Sequence, residues 1–391
     1  MIEWIEMMVR WLHVVAGIAW IGSSFYFIFL DASLRRGEND EEGIAGESWQ
    51  VHGGGFYRMR KYLVAPAEMP AELHWFKYEA YTTWLSGFFL LGLIYYLNAG
   101  AYLVAPSVMD LTPMAAVAIS VGSLVVGWLV YDSLCKSPVG KNDALLAVVG
   151  FALLVAAAWG YTQVFSGRGA YVHVGVLVGT LMAANVFFVI IPNQKIVVAD
   201  LIAGRAPEPD LGRRAKQRSL HNNYLTLPVV FVMISGHYPM TFASQWNWVL
   251  LAGIFIVGGL VRHFFNLKHA GRGRHYWLWI AAGLIMAMVI AISMQRPKPA
   301  RTAGVPTLSR VSEIIQRRCA VCHSAQPSFA GIESAPLGLV LETPGDILRA
   351  KDRIHAQAIA TSAMPPGNAT AMTAEERAAL AAWYRAEVSE D

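Results

Sequence analysis

The sequence predicts an all-α protein in two parts. Residues 1–294 read as an eight-span transmembrane helical bundle and residues 307–391 as a small helical domain, with a linker over 295–306. Three observations predict this. Only 15% of the 391 residues are charged and 55% are hydrophobic, with a mean hydropathy of +0.41, where an ordinary soluble chain carries roughly 25% charged residues. Eight apolar stretches approach the ~20 residues that cross a bilayer. Beyond residue 306 that character ends, and the caps of ordinary helices return.

The stretches lie at Val9–Leu30, Tyr78–Leu97, Pro113–Leu134, Ala144–Phe165, Tyr171–Ile191, Tyr224–Met240, Asn247–Leu267 and Tyr276–Met294. Pro228, His237 and Pro239 interrupt the sixth. Basic residues alternate from one connection to the next. Seventeen, from Arg35 to Arg274, fall after spans one, three, five and seven, whereas the other set holds only Arg10 and Arg168. By the positive-inside rule the crowded connections face the cytoplasm and both termini face the periplasm. The opening residues, MIEWIEMM, are acidic, and span one is too long for the apolar core of a signal peptide, so no cleaved leader is expected. A net charge of +4 is too mild to suggest nucleic acid.

Two halves of the bundle share a pattern. "HVVAGIAWIGSSFYFIF" from His13 lies over "HVGVLVGTLMAANVFFV" from His173; Gly127 and Val130 match Gly258 and Val261, and Tyr81 and Thr83 match Tyr224 and Thr226. A tandem repeat of two four-helix units accounts for this. Chance sharing of Gly, Val and Phe between apolar helices accounts for it too.

The second part carries "RRCAVCHSAQ" at 317–326. Cys-x-x-Cys-His is the attachment signature of a c-type haem, which makes this part a small cytochrome c domain. Cys319 and Cys322 would form the thioethers and His323 the proximal ligand to iron. Met364, in the Pro-flanked loop "SAMPPGN", is the expected sixth ligand, since Met/His ligation raises the potential of an electron acceptor. Met372 competes for that role, and His355 is expected on a helix surface. Thr373 and Glu376 form a capping box, and Thr343 before Pro344 opens another helix. Lone Cys135 reads as an inert thiol. Covalent haem attachment in bacteria takes place outside the cytoplasm, in agreement with the charge pattern.

Polar side chains in or at the ends of spans are functional hypotheses. His13, His173 and His237 lie toward the periplasmic face. His13 and His173, equivalent in the repeat, are one candidate pair for a b-type haem within the membrane; the plainer reading has each bonding a neighbouring helix. Toward the cytoplasmic face lie Lys77, Glu79, Asp132, His221, Asn222, Asn223, Arg262 and His263. Lys77 and Arg262 could supply charge to a small anion, and His221, Asn222 and Asn223 could meet a planar heterocycle. Asp132, His263 or Glu79 would then be the general base. The alternative is that the charged members pair with lipid or with each other. "HGGGFYRMRKY" (52–62) reads either as a loop covering substrate or as a turn before an amphipathic segment.

The motifs "RWLHVVAGIAWIGSSFYFIFLD", "GGGFYRMRKYLVAP", "LHWFKYEAYTTWLSGF", "ANVFFVIIPNQK" and "LHNNYLTLPVVFVMISGHYP", followed by the CAVCH domain, resemble the membrane-bound urate oxidase (urate hydroxylase) family of bacteria. That resemblance implies eight spans fused to a cytochrome c in the inner membrane. It implies oxidation of urate to 5-hydroxyisourate in purine breakdown, and electrons passed to the respiratory chain rather than to oxygen as hydrogen peroxide. The external acceptor would be a soluble cytochrome c or a terminal oxidase. Carried onto this chain, the family's haem attachment falls on Cys319, Cys322 and His323. Two other readings of the residues stand beside it. One is a quinol-to-cytochrome c oxidoreductase, the other a transporter or sensor in which the haem reports rather than conducts.

Overall fold

The structure, a computed structural model, describes residues 2–37, 43–66, 69–70, 72–295, 304–329, 332–361 and 363–389. Most of the expected linker, 296–303, lies outside the described residues. A helix stands at each of the eight expected spans. They are α1 (Ile2–Ser33), α2 (Tyr78–Leu91, continued by a π-helical turn Gly92–Tyr96), then, after the short α3 (Ala99–Tyr102), α4 (Pro113–Lys136) and α5 (Asp143–Thr162). Next come α6 (Gly167–Ala184), a π-helical turn Asn185–Ile190 and α7 (Ile191–Ile202) as one run. α8 (Pro209–Ser235), the short α9 (Pro239–Phe242), α10 (Asn247–His269) and α11 (Trp277–Ser293) follow.

Local chemistry starts these helices where they start. Thr112 Oγ1 accepts the Ala115 N–H at 3.2 Å ahead of α4, with Pro113 at the first helical position. Asn142 Oδ1 accepts the N–H groups of Ala144 and Leu145 ahead of α5. Side-chain oxygens so placed satisfy donors that a helix leaves unpaired. Five of the runs, α1, α4, α5, α6–α7 and α10, are long and apolar enough to cross a membrane, and α11 is a shorter apolar helix. α8 differs from expectation: it begins fifteen residues before Tyr224, within the basic connection, and ends at Ser235, leaving His237 and Pro239 outside.

One segment departs from an all-α fold. Strands β1 (Ile44–His52) and β2 (Gly55–Tyr62) pair antiparallel, with His52 opposite Gly55. Gly53 and Gly54, at φ 57° and 77°, close the two-residue turn. Both positions need positive φ, which suits glycine and matches the twist of the strands. The stretch read as a covering loop or a turn is thus a hairpin. Ser33 and Ser48 share a hydrogen bond between their hydroxyls at 3.0 Å, tying β1 to the end of α1.

The chain packs as two compact units. The first takes Met1–Leu90, Leu177–Val230 and Ile254–Met286; the second takes Leu91–Val176, Phe231–Gly253 and Ala287–Asp391. Each draws on both halves of the bundle, so the proposed repeat is not expressed as two separate bodies. In the first unit Ala80, Val186, Ile190 and Ile191 form a buried cluster against Trp20, Trp75 and Tyr81. α8 and α10 meet there at Pro228: a Cβ on Gly258 would stand 2.7 Å from Pro228 Cδ. In the second unit, the tail forms its own core from α12 (Leu308–Arg318), α13 (Pro344–Arg349), α14 (Lys351–Ile354) and α15 (Ala374–Ser389). Val311, Ile315, Ile347, Leu380 and Trp383 lie at its centre.

The Pro228 contact predicts a contrast. Gly258→Ala overpacks α8 against α10 and should cost about 1–3 kcal/mol, lowering the melting temperature in detergent. Gly259→Ala meets nothing within 4 Å and should leave it unchanged or raise it, because alanine is the better helix former.

Candidate functional site

The first unit holds a layer of polar side chains inside apolar helices. Arg218, Asn222 and Thr226 recur every four residues along α8, and Arg262 and Asn266 do so along α10, so each set lies on one helical face. Asn185 joins them from the π-helical turn after α6. The π turn carries an extra residue, which turns the faces beyond it and often marks a functional site.

These groups form two hydrogen-bonded sets, one around Asn185 and Asn222 and one around Asn223. Arg218 Nη1 donates to Asn185 Oδ1 at 3.0 Å; Asn185 Nδ2 donates to Asn222 Oδ1 at 2.9 Å; Asn222 Nδ2 donates to the Met182 carbonyl at 2.9 Å. Asn223 Oδ1 accepts from Asn266 Nδ2 at 3.0 Å and from Arg262 Nε at 3.4 Å, and Arg262 Nη2 reaches Asn266 Oδ1 at 3.3 Å. The Arg262 guanidinium also lies over the Phe25 ring, 3.8 Å from its centroid. Arg262 is 6% exposed, and its hydrogen bonds run to amides. Among the described residues no carboxylate pairs with it. Asn223 is fully buried, and its Nδ2 has no hydrogen-bond partner. A buried charge without a counter-ion and a buried donor without an acceptor are both costly. Beside them the Tyr224 hydroxyl and His263 Nδ1 are 2.7 Å apart.

Of the expected inner set, the structure therefore brings together Asn222, Asn223 and Arg262, with His263 on the same two helices. Lys77 lies against the Tyr78 ring at 4.9 Å, and Glu79 occupies the first turn of α2. His221 is half-buried beside Asn222. Asp132, in the second unit, takes an ion pair from Lys136 at 2.6 Å, one turn along α4. Phe25, Asn185, Arg218, Tyr224 and Asn266 were not among the expected site residues. The four-residue spacing of polar groups in α8 and α10 was the signal available for Arg218 and Asn266. Phe25 gave none, because one more aromatic in a span looks like lipid-facing surface.

The two histidines expected to pair fall in different units. His13 Nδ1 donates to the Thr83 carbonyl at 2.9 Å and lies 3.1 Å from Ser86 Oγ, packed where Gly87 leaves room on α2. His173 is fully buried in the second unit among Phe165, Tyr161 and Tyr95. Its Nδ1 donates to the Gly169 carbonyl at 2.7 Å, so Nε2 is the acceptor for Ser120 Oγ at 2.6 Å, and Ser120 in turn accepts from the Tyr96 hydroxyl at 2.8 Å. With both ring nitrogens engaged, His173 does not fit an axial haem ligand. The geometry agrees with the plainer reading of a histidine bonding its neighbours.

In the tail, Cys319, Cys322 and His323 share one turn at the end of α12, with the Cys322 and His323 N–H groups donating to the Cys319 carbonyl. His323 Nδ1 donates to the Leu339 carbonyl at 3.0 Å. This fixes the tautomer with Nε2 unprotonated, the state in which imidazole binds a metal. Burial pushes the Cys319 thiol up to about 12. Met364 packs at the edge of the tail core, its carbonyl accepting from Arg377 Nη1 at 2.7 Å. Met372 is instead inside that core, 3% exposed. His355 stacks on Tyr384 at 4.0 Å. The expected capping box forms between Thr373 and Glu376, and the helix expected after Thr343 opens there on a capping box of Thr343 with Asp346. Arg318, next to Cys319, donates from Nε to both oxygens of Glu376 at 3.1 and 2.9 Å.

The fold and these two clusters define a class: a bundle of apolar helices with a buried layer of arginine and asparagine side chains, joined to a helical domain bearing a Cys-x-x-Cys-His turn. Residues 1–293 match the family model described as urate oxidase N-terminal, and the chain belongs to that family. Comparison with curated proteins and with solved structures finds no significant match. Membership of this family points to an oxidoreductase acting on urate.

The Arg318–Glu376 pair yields a test of the tail. Burial works to raise the Glu376 carboxyl, and the hydrogen bonds from Arg318 and the Thr373 N–H, with the charges of Arg318 and Arg317, together outweigh it, so the group is held below the usual carboxylate range. Its stabilisation is complete above the unfolded value of about 4.3 and is lost as pH falls through the lower folded value. Glu376→Ala leaves the half-buried Arg318 guanidinium without its carboxylate and should cost the tail about 1.5–3 kcal/mol near neutral pH. Thermal unfolding followed in the tail should show that loss shrinking as the pH drops below about 4.

Proposed function

We propose that the chain is a membrane-bound urate oxidase that converts urate to 5-hydroxyisourate and passes the electrons to a c-type haem on its own tail. The basic connections would face the cytoplasm, where urate arises, and the tail would stand in the periplasm of a bacterial inner membrane. A soluble cytochrome c or a terminal oxidase would carry the electrons to the respiratory chain, so that hydrogen peroxide is not formed.

The observation that carries this reading is the buried, carboxylate-free Arg262 beside the unpartnered Asn223 amide, in a bundle of the urate oxidase N-terminal family. Urate is an anion at neutral pH with carbonyl oxygens at its rim. Arg262 would neutralise its charge, and the Asn223 Nδ2 donor would meet a carbonyl. A guanidinium already held over Phe25 by two asparagines needs little reorganisation to do so. His263, oriented by Tyr224, is the group placed to accept a proton. The balance is urate plus water giving 5-hydroxyisourate, two protons and two electrons.

In the tail Cys319 and Cys322 would hold the haem, His323 would ligate its iron through Nε2, and Met364 would complete the coordination. When bound, the haem supplies a one-electron acceptor. The hydrogen bond from His323 Nδ1 to Leu339 supports that assignment. The chain's own residues do the rest: Leu339 orients the imidazole, and Arg377 holds the Met364 loop.

The visible spectrum of the purified full chain, anaerobic, tests the proposal. A sharp c-type band should grow in with urate and not with xanthine. If urate leaves it unchanged while dithionite reduces the haem, the urate assignment fails, and reduction by a quinol would then favour a quinol-to-cytochrome c oxidoreductase. Arg262→Gln should lower kcat/KM for urate by roughly 10²-fold with the tail spectrum intact.

A further inference from the structure

Within the second unit the tail meets the bundle at the turn Pro366–Asn368, which rests on α3 and the residues after it. The approach is close. Gly367 has φ +55°, and a Cβ there would stand 2.9 Å from the Val104 carbonyl oxygen and 3.2 Å from the Cβ atoms of Ala105 and Ser166. The seat is buried and internally satisfied. Ser166 donates its N–H to the Leu103 carbonyl at 2.9 Å and its hydroxyl to the Tyr102 carbonyl at 2.7 Å, and Leu103, Val104, Ala105 and Ser166 are all buried.

Each side of the contact leads somewhere. Ser166 follows Phe165, whose ring stacks on Tyr161 at 5.8 Å and lies 4.7 Å from the buried His173. Gly367 comes three residues after Met364 in a braced loop. Asn368 exchanges two hydrogen bonds with the Met372 backbone, at 3.0 and 3.1 Å, and Arg377 holds the Met364 carbonyl. A dry contact joins an aromatic cluster in the bundle to the loop bearing the expected sixth ligand.

We propose that this seat is the electron-entry port of the tail, and that Gly367 and Ala105 are the positioning residues that let it close. The inference rests on the proposed urate-to-haem electron flow. Electrons cross from the Tyr161–Phe165 side into the Met364–Asn368 loop one at a time. A haem held by Cys319 and Cys322 would accept them singly, with no bond made or broken at the port, and one urate would supply two. A branched or bulky side chain at Gly367 or Ala105 pushes the loop off its seat, whereas a cysteine pair that bridges the contact holds it closed.

Two measurements on the haem-loaded full chain test this. In a Cys135→Ser background, Ala105→Cys with Gly367→Cys should form a disulfide on mild oxidation, since bridged Cβ atoms sit about 3.5–4.5 Å apart; mass spectrometry of the linked peptides reads it, and neither single variant should link. Separately, Ala105→Leu alters the bundle side only. It should leave the haem spectrum and midpoint potential unchanged while slowing urate-driven haem reduction by about tenfold or more. Absence of the cross-link, or haem reduction by Ala105→Leu at the unaltered rate, overturns the port. A cross-link that forms in a protein whose haem urate never reduces sinks the urate reading and leaves the docking seat standing.

Discussion

A charged or amide side chain in a helix meant for lipid must find its partners inside the bundle, because hydrocarbon offers none. That constraint organises the first unit. Arg218, Asn185, Asn222, Asn223, Asn266 and Arg262 all turn inward and answer one another, and the helices carrying them are held at the distances those bonds require. Among the described residues, the Asn223 Nδ2 donor is left without an acceptor beside Arg262, whose guanidinium meets amides and an aromatic face.

The second unit shows the same constraint with the opposite outcome. His173 is as deeply buried as Asn223, yet Tyr96, Ser120 and Gly169 close its hydrogen bonds. It therefore acts as a packing centre for Phe165, Tyr161 and Tyr95 rather than as an open ligand. The tail repeats the logic on a smaller scale: His323 spends Nδ1 on a backbone carbonyl and keeps Nε2 for something else. Burial alone does not separate a structural histidine from a functional one. The count of unsatisfied ring nitrogens does.

Much of the architecture was legible in the chain. The eight helices, the Thr373–Glu376 capping box, the helix start at Thr343 and the Cys-x-x-Cys-His turn follow from spacing rules that act over one or two helical turns. The hairpin was half-visible. Gly53-Gly54 is a strong turn signal, but the flanking residues alternate weakly, so loop, turn and strand all remained open. The start of α8 was missed for another reason: the fifteen residues before Tyr224 are mostly polar or basic and do not look like a span, although the Arg, Lys, Gln, Leu and Ala among them are good helix formers.

For the site, the sequence by itself determined which residue types lie within reach of one another along each helix: Asn222 next to Asn223, Arg262 before His263, Met364 among prolines. Only the tertiary structure decided which of these meet. Arg262 joins Asn223 and Phe25 from three different helices, Asp132 turns to Lys136 on its own helix, and Gly367 finds Val104 across more than 260 residues of chain. The physical reason is that helical spacing encodes neighbours three and four residues apart. Contacts between helices depend on how their faces pack, and that information is spread over the whole buried surface rather than written in any one segment.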